Sequence, residues 1–217
     1  MKTAIIFDLD GTILDTLQDL YLSVNEMLKA FGFPLRTCEE VRSFVGNGVP
    51  KLVERALPEN TDGDMFDRAL CFFKQYYDAH CNDHTKAYPG MNDALLRLRQ
   101  DGYYLGVVTN KIHTATQILC KTHFDGLIDE VQGQTGEFQP KPDPASLMLV
   151  RDKLSADRVV YVGDSEVDIQ TAKNFGAPCV SVTWGFKDRD FLIEHGAVHI
   201  ADSIPQMLEC IYEISKN

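Results

Sequence analysis

The chain has 217 residues, 44% of them hydrophobic, which is enough to fill a sizeable core and excludes intrinsic disorder. Its 21 basic and 32 acidic residues leave a formal charge of -11, which repels a phosphate backbone and removes any counterion-release drive toward nucleic acid. A small-molecule partner is the better expectation, with no nucleic acid and no membrane.

In chain order, "TAIIFD" at 3–8 is the first of several short apolar runs that stop at a polar residue. The others are "YYLGVVTN" at 103–110, "VVYVGD" at 159–164 and "PCVSVTWG" at 178–185. Continuous runs of this length suit strands buried on both faces. Helical patterns separate them at 91–102, 113–123, 144–154 and 165–176, the last stopped by Gly176. Alternation of this kind predicts a parallel α/β sheet, doubly wound in the Rossmann-like manner.

Residues 15–82 interrupt that alternation with helices. Leu17, Leu20, Tyr21, Val24, Leu28 and Phe31 keep a helical apolar spacing after Asp15 and Thr16, and Gly32 and Pro34 end it. "TCEE" at 37–40 is a capping-box pattern, and 49–57 and 65–80 read as two further helices. The expected organisation is a core of 1–14 and 83–217 with an all-helical insertion at 15–82. Phe66, Phe72, Phe73, Tyr76 and Tyr77 are expected to form the insertion's own core. Six cysteines are scattered without a CxxC pair, so reduced thiols and a cytoplasmic location are expected. The start offers only Ala4 to Phe7 as an apolar run, too short for a signal segment, and no stretch approaches membrane-spanning length.

Ligands of open parallel sheets bind beyond the carboxyl ends of the strands. Here those ends carry Asp8 and Asp10, Thr109 and Asn110, and Asp164 followed by Asp168. A turn or a helix cap accounts for any one of these residues alone. Together, carboxylates held close repel unless protonated or joined by a cation, and hard oxygen donors favour Mg²⁺. In the insertion, "GNG" at 46–48 makes Asn47, Gly48 and Lys51 candidates to close over a ligand, an ordinary interhelical turn being the alternative. Arg42 is a candidate partner for a substrate carboxylate, or part of a solvated helix face. The six histidines form no pair with the one-face geometry of a zinc helix.

"DLDGT" at 8–12, "VVTN" at 107–110, "KPDP" at 141–144 and "GDSEVDI" at 163–169 resemble the haloacid dehalogenase superfamily in the family's order, specifically its phosphatases with a helical cap after the first strand. "VRSFVGNGVPKLVERAL" at 41–57, "TNK" at 109–111 and "YVGDS" at 161–165 are most similar to phosphoglycolate phosphatases. The resemblance implies that Asp8 is the nucleophile, forming an aspartyl-phosphate, and that Asp10 is the general acid and base. It further implies that Gly11 lets backbone approach the phosphoryl group, that Thr109 bonds that group with Asn110 beside it, and that Lys141 offsets its charge. Asp8, the Asp10 carbonyl and Asp164 are the implied Mg²⁺ ligands, with Asp168 holding metal waters or orienting Lys141. Ser165 is a candidate cap for the helix that follows it.

The segment 131–144 departs from the phosphoglycolate phosphatases, lacking the Gly-Asp pair that often follows a short strand at this place in that family. Pyrophosphate, sugar phosphates and nucleoside monophosphates are therefore rival substrates. A β-phosphoglucomutase-like phosphotransferase is a second reading, opposed by Thr12 where that branch commonly has valine. A metal-free dehalogenase would lack an acid at position 10, and a degenerate binding module would be expected to have lost some of Asp8, Asp10, Lys141 or Asp164.

Overall fold

The computed structural model of the protein describes residues 1–216. In chain order its elements are β1 (Thr3–Phe7), β2 (Leu14–Asp15), α1 (Leu17–Ala30), α2 (Cys38–Phe44), α3 (Val49–Ala56), α4 (Gly63–His80), β3 (Lys86–Ala87), α5 (Met91–Gln100), β4 (Tyr104–Ile112), α6 (His113–Phe124), β5 (Glu130–Gln134), α7 (Ala145–Lys153), β6 (Arg158–Gly163), α8 (Glu166–Phe175), β7 (Cys179–Val182), α9 (Arg189–Glu194), β8 (His199–Ala201) and α10 (Ile204–Lys216). Six strands form one parallel sheet in the order β5-β4-β1-β6-β7-β8. The expected α/β architecture is present, with β1 in the interior of the sheet.

The period-two geometry of a strand sends successive side chains of β1 to opposite faces. Ile5 and Phe7 join one apolar cluster with Leu95 of α5, Leu119 of α6 and Ile211 of α10. Ala4 and Ile6 join another with Leu147 and Val150 of α7 and Ala172 of α8. Helices thus cover both faces, which is why the strands are continuously apolar rather than alternating. Ile5 and Ile6 are fully buried, each a contribution of about 1.5–3 kcal/mol of transfer free energy.

Four helices, α1 to α4, lie between β2 and β3, which pair antiparallel as a two-residue ribbon that the residue pattern is too short to reveal. The helices pack around Val24, Met27, Val41, Leu52, Val53 and Phe73, all buried. The Thr37–Glu40 capping box forms as expected, the Glu40 carboxylate accepting from the Thr37 N–H at 2.7 Å and the Glu40 N–H donating to the Thr37 hydroxyl at 3.2 Å. Of the five aromatic residues expected in the insertion's core, Phe73 and Tyr77 are fully buried, whereas Phe66, Phe72 and Tyr76 are half-buried. Among the described residues no helix is long and apolar enough to cross a membrane.

Asp19 ties the two ends of the insertion together. This buried carboxylate on α1 accepts from the His84 N–H, the Thr85 N–H and the Thr85 hydroxyl, the last two at 2.8 Å. Removing it leaves those donors without an acceptor next to the ribbon. Asp19→Ala is expected to cost about 2–4 kcal/mol of stability, from charged hydrogen bonds at about 1.5–3 kcal/mol each that partly compensate, measured by urea unfolding.

Candidate active site

The carboxyl ends of β1, β4 and β6 converge as their order in the sheet requires. Asp8 follows β1 and its N–H donates to the Val162 carbonyl at 2.8 Å, which fixes the strand end beside β6. Asp164 follows β6. The carboxylate oxygens of Asp8, Asp164 and Asp168 lie within 4.8 Å of one another, all buried. Asp10 also stands at the cleft, but its carboxylate turns to Lys111, whose Nζ is 2.8 Å from Oδ1.

Lys141 holds the floor of the site. Its Nζ lies 2.7 Å from Asp168 Oδ1, 3.0 Å from Asp8 Oδ1 and 3.0 Å from the Tyr161 hydroxyl, so all three N–H groups have a neighbour. Asp168 is equally occupied, since its other oxygen accepts the Ser165 hydroxyl at 2.6 Å and the Ser165 N–H at 3.1 Å. That pairing anchors the start of α8 and turns Asp168 toward Lys141. Asn110 fixes the Lys141 backbone from β4, accepting its N–H at 2.7 Å and donating to its carbonyl at 3.1 Å. The same amide reaches the Gly46 carbonyl at 3.3 Å, joining the core to the insertion.

Asp164 is held with little slack. Its carboxylate accepts from the Phe186 N–H at 2.6 Å and the Thr12 hydroxyl at 3.2 Å. Gly11, at φ +81°, has no room for a side chain, because a Cβ there would stand 2.4 Å from Asp164 Oδ2. Gly185 is as confined, at 2.3 Å from the same oxygen and 2.5 Å from the Gly11 carbonyl. Gly185→Ala must therefore displace Asp164 or the loop carrying Asp10. If these carboxylates hold a divalent cation, the substitution is expected to weaken that affinity by about 10–100-fold, read by titration of Mg²⁺ against thermal stability.

Burial pushes the Asp8 carboxyl up to about 6, with Asp168 and Asp10 adding to the effect and Lys141 and the Thr109 hydroxyl opposing it. Burial raises Asp164 well above the usual carboxylate range, reinforced by Asp168 and Asp8. Burial works against the charge on Lys141, but Asp168 and Asp8 overcome it and hold the ammonium protonated. Asp8 Oδ1, though 3.0 Å from Lys141 Nζ, has no aligned hydrogen-bond donor and is out of contact with water. Four carboxylates, Asp8, Asp10, Asp164 and Asp168, stand against two ammonium groups, Lys111 and Lys141. A hard divalent cation fits that donor set and its charge deficit.

Not every candidate reaches this cleft. Asp8, Asp10, Thr109, Asn110, Gly48 and Asp164 line it. Arg42 instead donates to the carbonyls of Gly185 at 2.7 Å and Phe186 at 3.2 Å, bracing the loop whose N–H holds Asp164. Asn47 accepts from Arg55 inside the insertion at 2.8 Å, and Lys51 pairs with Glu54 on its exposed face. The histidines stay outside the acidic cluster: His80 meets Asp83 at 2.7 Å and His195 meets the Phe191 carbonyl at 2.8 Å. Three residues carry weight that the strand-end pattern does not show: Lys111, Tyr161 and Gly185. Lys111 is hidden because β4 continues to Ile112 through an irregular register after Val108, beyond the end that its apolar run suggests.

The model of the haloacid dehalogenase-like hydrolases matches residues 5–182. The chain belongs to that family. The sheet order and the converging aspartates are thus those of a hydrolase. The chain is 35% identical over 210 residues to a phosphoglycolate phosphatase of Cereibacter sphaeroides, covering 94% of this chain and 96% of the relative. It is 33% identical over 213 residues to a phosphoglycolate phosphatase of Pseudomonas syringae pv. tomato, covering 94% and 78%. A crystal structure from Lactobacillus delbrueckii subsp. bulgaricus, provisionally named a phosphoglycolate phosphatase, superposes with a TM-score of 0.92 at 36% identity, covering 97% of this chain and 99% of that one.

Proposed function

We propose that this hydrolase is a Mg²⁺-dependent phosphatase that cleaves a small phosphomonoester, 2-phosphoglycolate, through a phosphoryl group carried on Asp8. The observation that carries this reading is the Asp8 carboxylate: buried at the cleft floor, 3.0 Å from Lys141 Nζ and in one cluster with Asp164. In the first step an Asp8 oxygen attacks phosphorus, the bond from phosphorus to the ester oxygen breaks, and Asp10 gives that oxygen a proton. In the second a water attacks phosphorus, Asp10 takes its proton, and the bond to Asp8 breaks. Lys141 and Thr109 offset charge on the phosphoryl oxygens in both steps. Asp8, Asp164 and the Asp10 carbonyl would hold Mg²⁺, which when bound draws charge from the phosphoryl oxygens and makes the crowded carboxylates compatible. Asp168 and Asn110 act through Lys141, by fixing its ammonium and its backbone.

The relatives favour 2-phosphoglycolate over a nucleotide or sugar phosphate, since those of Cereibacter sphaeroides and Pseudomonas syringae pv. tomato, at 35% and 33% identity, are phosphoglycolate phosphatases. The test is a panel of 2-phosphoglycolate, pyrophosphate, sugar phosphates and nucleoside monophosphates with Mg²⁺. The highest kcat/KM is expected for 2-phosphoglycolate, by more than about tenfold, or ~1.4 kcal/mol of transition-state discrimination. A higher value for any other member would reject it as the substrate.

The metal reading has its own signature in stability. The folded Asp8 value of about 6 lies above its ordinary 3.8, so the folded state takes up the proton more readily than the unfolded chain. Stability from this group is full below the ordinary value and is lost as pH rises through the folded one. Metal-free protein should therefore lose stability between about pH 4 and pH 6. Mg²⁺, binding the ionised form, is expected to raise Tm more at pH 7 than at pH 5, as calorimetry would show.

A further inference from the structure

The cleft contains one buried cation to which the proposed chemistry assigns no task. Lys111 is 4% exposed and lines the cavity. Its Nζ meets Asp10 Oδ1 at 2.8 Å and donates to the Tyr77 hydroxyl of α4, which leaves one of its three N–H groups for a ligand. The neighbouring cations are placed differently. Lys141 is surrounded by Asp8, Asp168 and Tyr161, Arg42 braces two carbonyls, and Lys187 stands at the rim, 3.4 Å from the Ser43 carbonyl. The upper wall, with Leu20, Val45, Val49 and Leu52, is apolar.

Position gives Lys111 its meaning. Asp10 acts at the ester oxygen, and Lys111 is one hydrogen bond beyond Asp10. A group on the carbon that bears the ester oxygen therefore comes beside Lys111, whereas a group farther along the substrate runs into the apolar wall. An anion buried there is costly unless it is paired, and the ammonium supplies the pair in a water-poor space where Coulomb attraction is strong. Resting on the substrate reading above, we infer that Lys111 recognises the substrate carboxylate and selects phosphate esters of 2-hydroxy acids. Tyr77 steers the ammonium from the insertion side, so recognition depends on α4 being seated.

The experiment compares kcat/KM for 2-phosphoglycolate with kcat/KM for ethyl phosphate, which carries a methyl group in place of the carboxylate. Both esters need the same acid at the ester oxygen, so any change in Asp10 divides out of the ratio. The wild-type ratio is expected to be about 100 or more, Lys111→Met to lower it at least about tenfold, and Lys111→Arg to recover part of it. A wild-type ratio near one overturns the substrate reading itself. A high wild-type ratio that Lys111→Met leaves intact overturns the role of Lys111 while that reading stands. Where Lys111→Met does not fold by circular dichroism, the wild-type enzyme decides. The phosphate ester of 3-hydroxypropanoate, with its carboxylate one carbon farther out, should lose at least about tenfold in kcat/KM against 2-phosphoglycolate. Equal values for those two esters overturn the inference.

Discussion

Asp8→Asn is expected to lower kcat by about 10⁴–10⁶-fold, the range found when a covalent nucleophile is removed. The amide has nearly the volume of the carboxylate but is a poor nucleophile toward phosphorus. Apart from the metal, which Asp8 would help to hold, little else in the site depends on the lost charge. Lys141 keeps Asp168 at 2.7 Å and the Tyr161 hydroxyl at 3.0 Å, so its ammonium remains partnered. Burial already works against an ionised Asp8, and a neutral side chain there removes that cost and the repulsion from Asp168 and Asp10. The variant should therefore fold, with a Tm close to or above that of the metal-free wild type, while turnover falls to background. Circular dichroism and a single-turnover assay on the same preparation separate lost chemistry from lost structure.

Lys141→Met should fail in both respects. Methionine fills the space but leaves Asp8, Asp168 and the Tyr161 hydroxyl, all buried, without the cation they surround. Breaking a buried ion network by removing one partner costs about 3–5 kcal/mol, a large share of the ~5–15 kcal/mol that holds a domain together. Lys141 opposes the upward shifts of both Asp8 and Asp164, so its loss raises those carboxyls further. The variant should consequently lose more stability at pH 8 than at pH 5.5, and acid should partly rescue its fold. Activity should drop by about 10²–10³-fold even where the protein is folded, because charge on the phosphoryl oxygens is no longer offset. Lys141→Arg keeps the charge, but a planar fork does not fit three neighbours arranged around one nitrogen, and only partial recovery is expected.

The parallel sheet was legible because its strands are buried on both faces and so appear as uninterrupted apolar runs that stop at a charge. Gly176, at φ +84°, ends α8 where a helix-stop glycine is expected, and the capping box at Thr37 opens α2. The short β8 and the two-residue ribbon β2–β3 were not, since two or three residues carry too little periodicity to stand out. The same contrast holds in the site. Asp8, Asp10, Thr109 and Asp164 mark strand ends, and topology brings strand ends together. Tyr161 sits inside an apparently ordinary apolar run and Lys111 just past the end of another, and their importance arises from side chains that cross to another element. Asp19 resembles any acid in a helix's first turn until the chain returns at His84 and Thr85 to donate to it. Arg42, Asn47 and Lys51 have the right chemistry for a ligand, but helix packing directs them to carbonyls and to neighbours within the insertion.

The phosphoryl group on Asp8 is open to direct observation. Wild-type enzyme with Mg²⁺ and 2-phosphoglycolate, quenched in acid within one turnover and digested, should yield a peptide containing Asp8 that carries one phosphoryl group by mass spectrometry. That peptide should form and decay at rates compatible with kcat, and it should be absent from Asp8→Asn. Substrate consumption with no phosphoryl group on Asp8 at any time, or wild-type turnover by Asp8→Asn, would contradict the account.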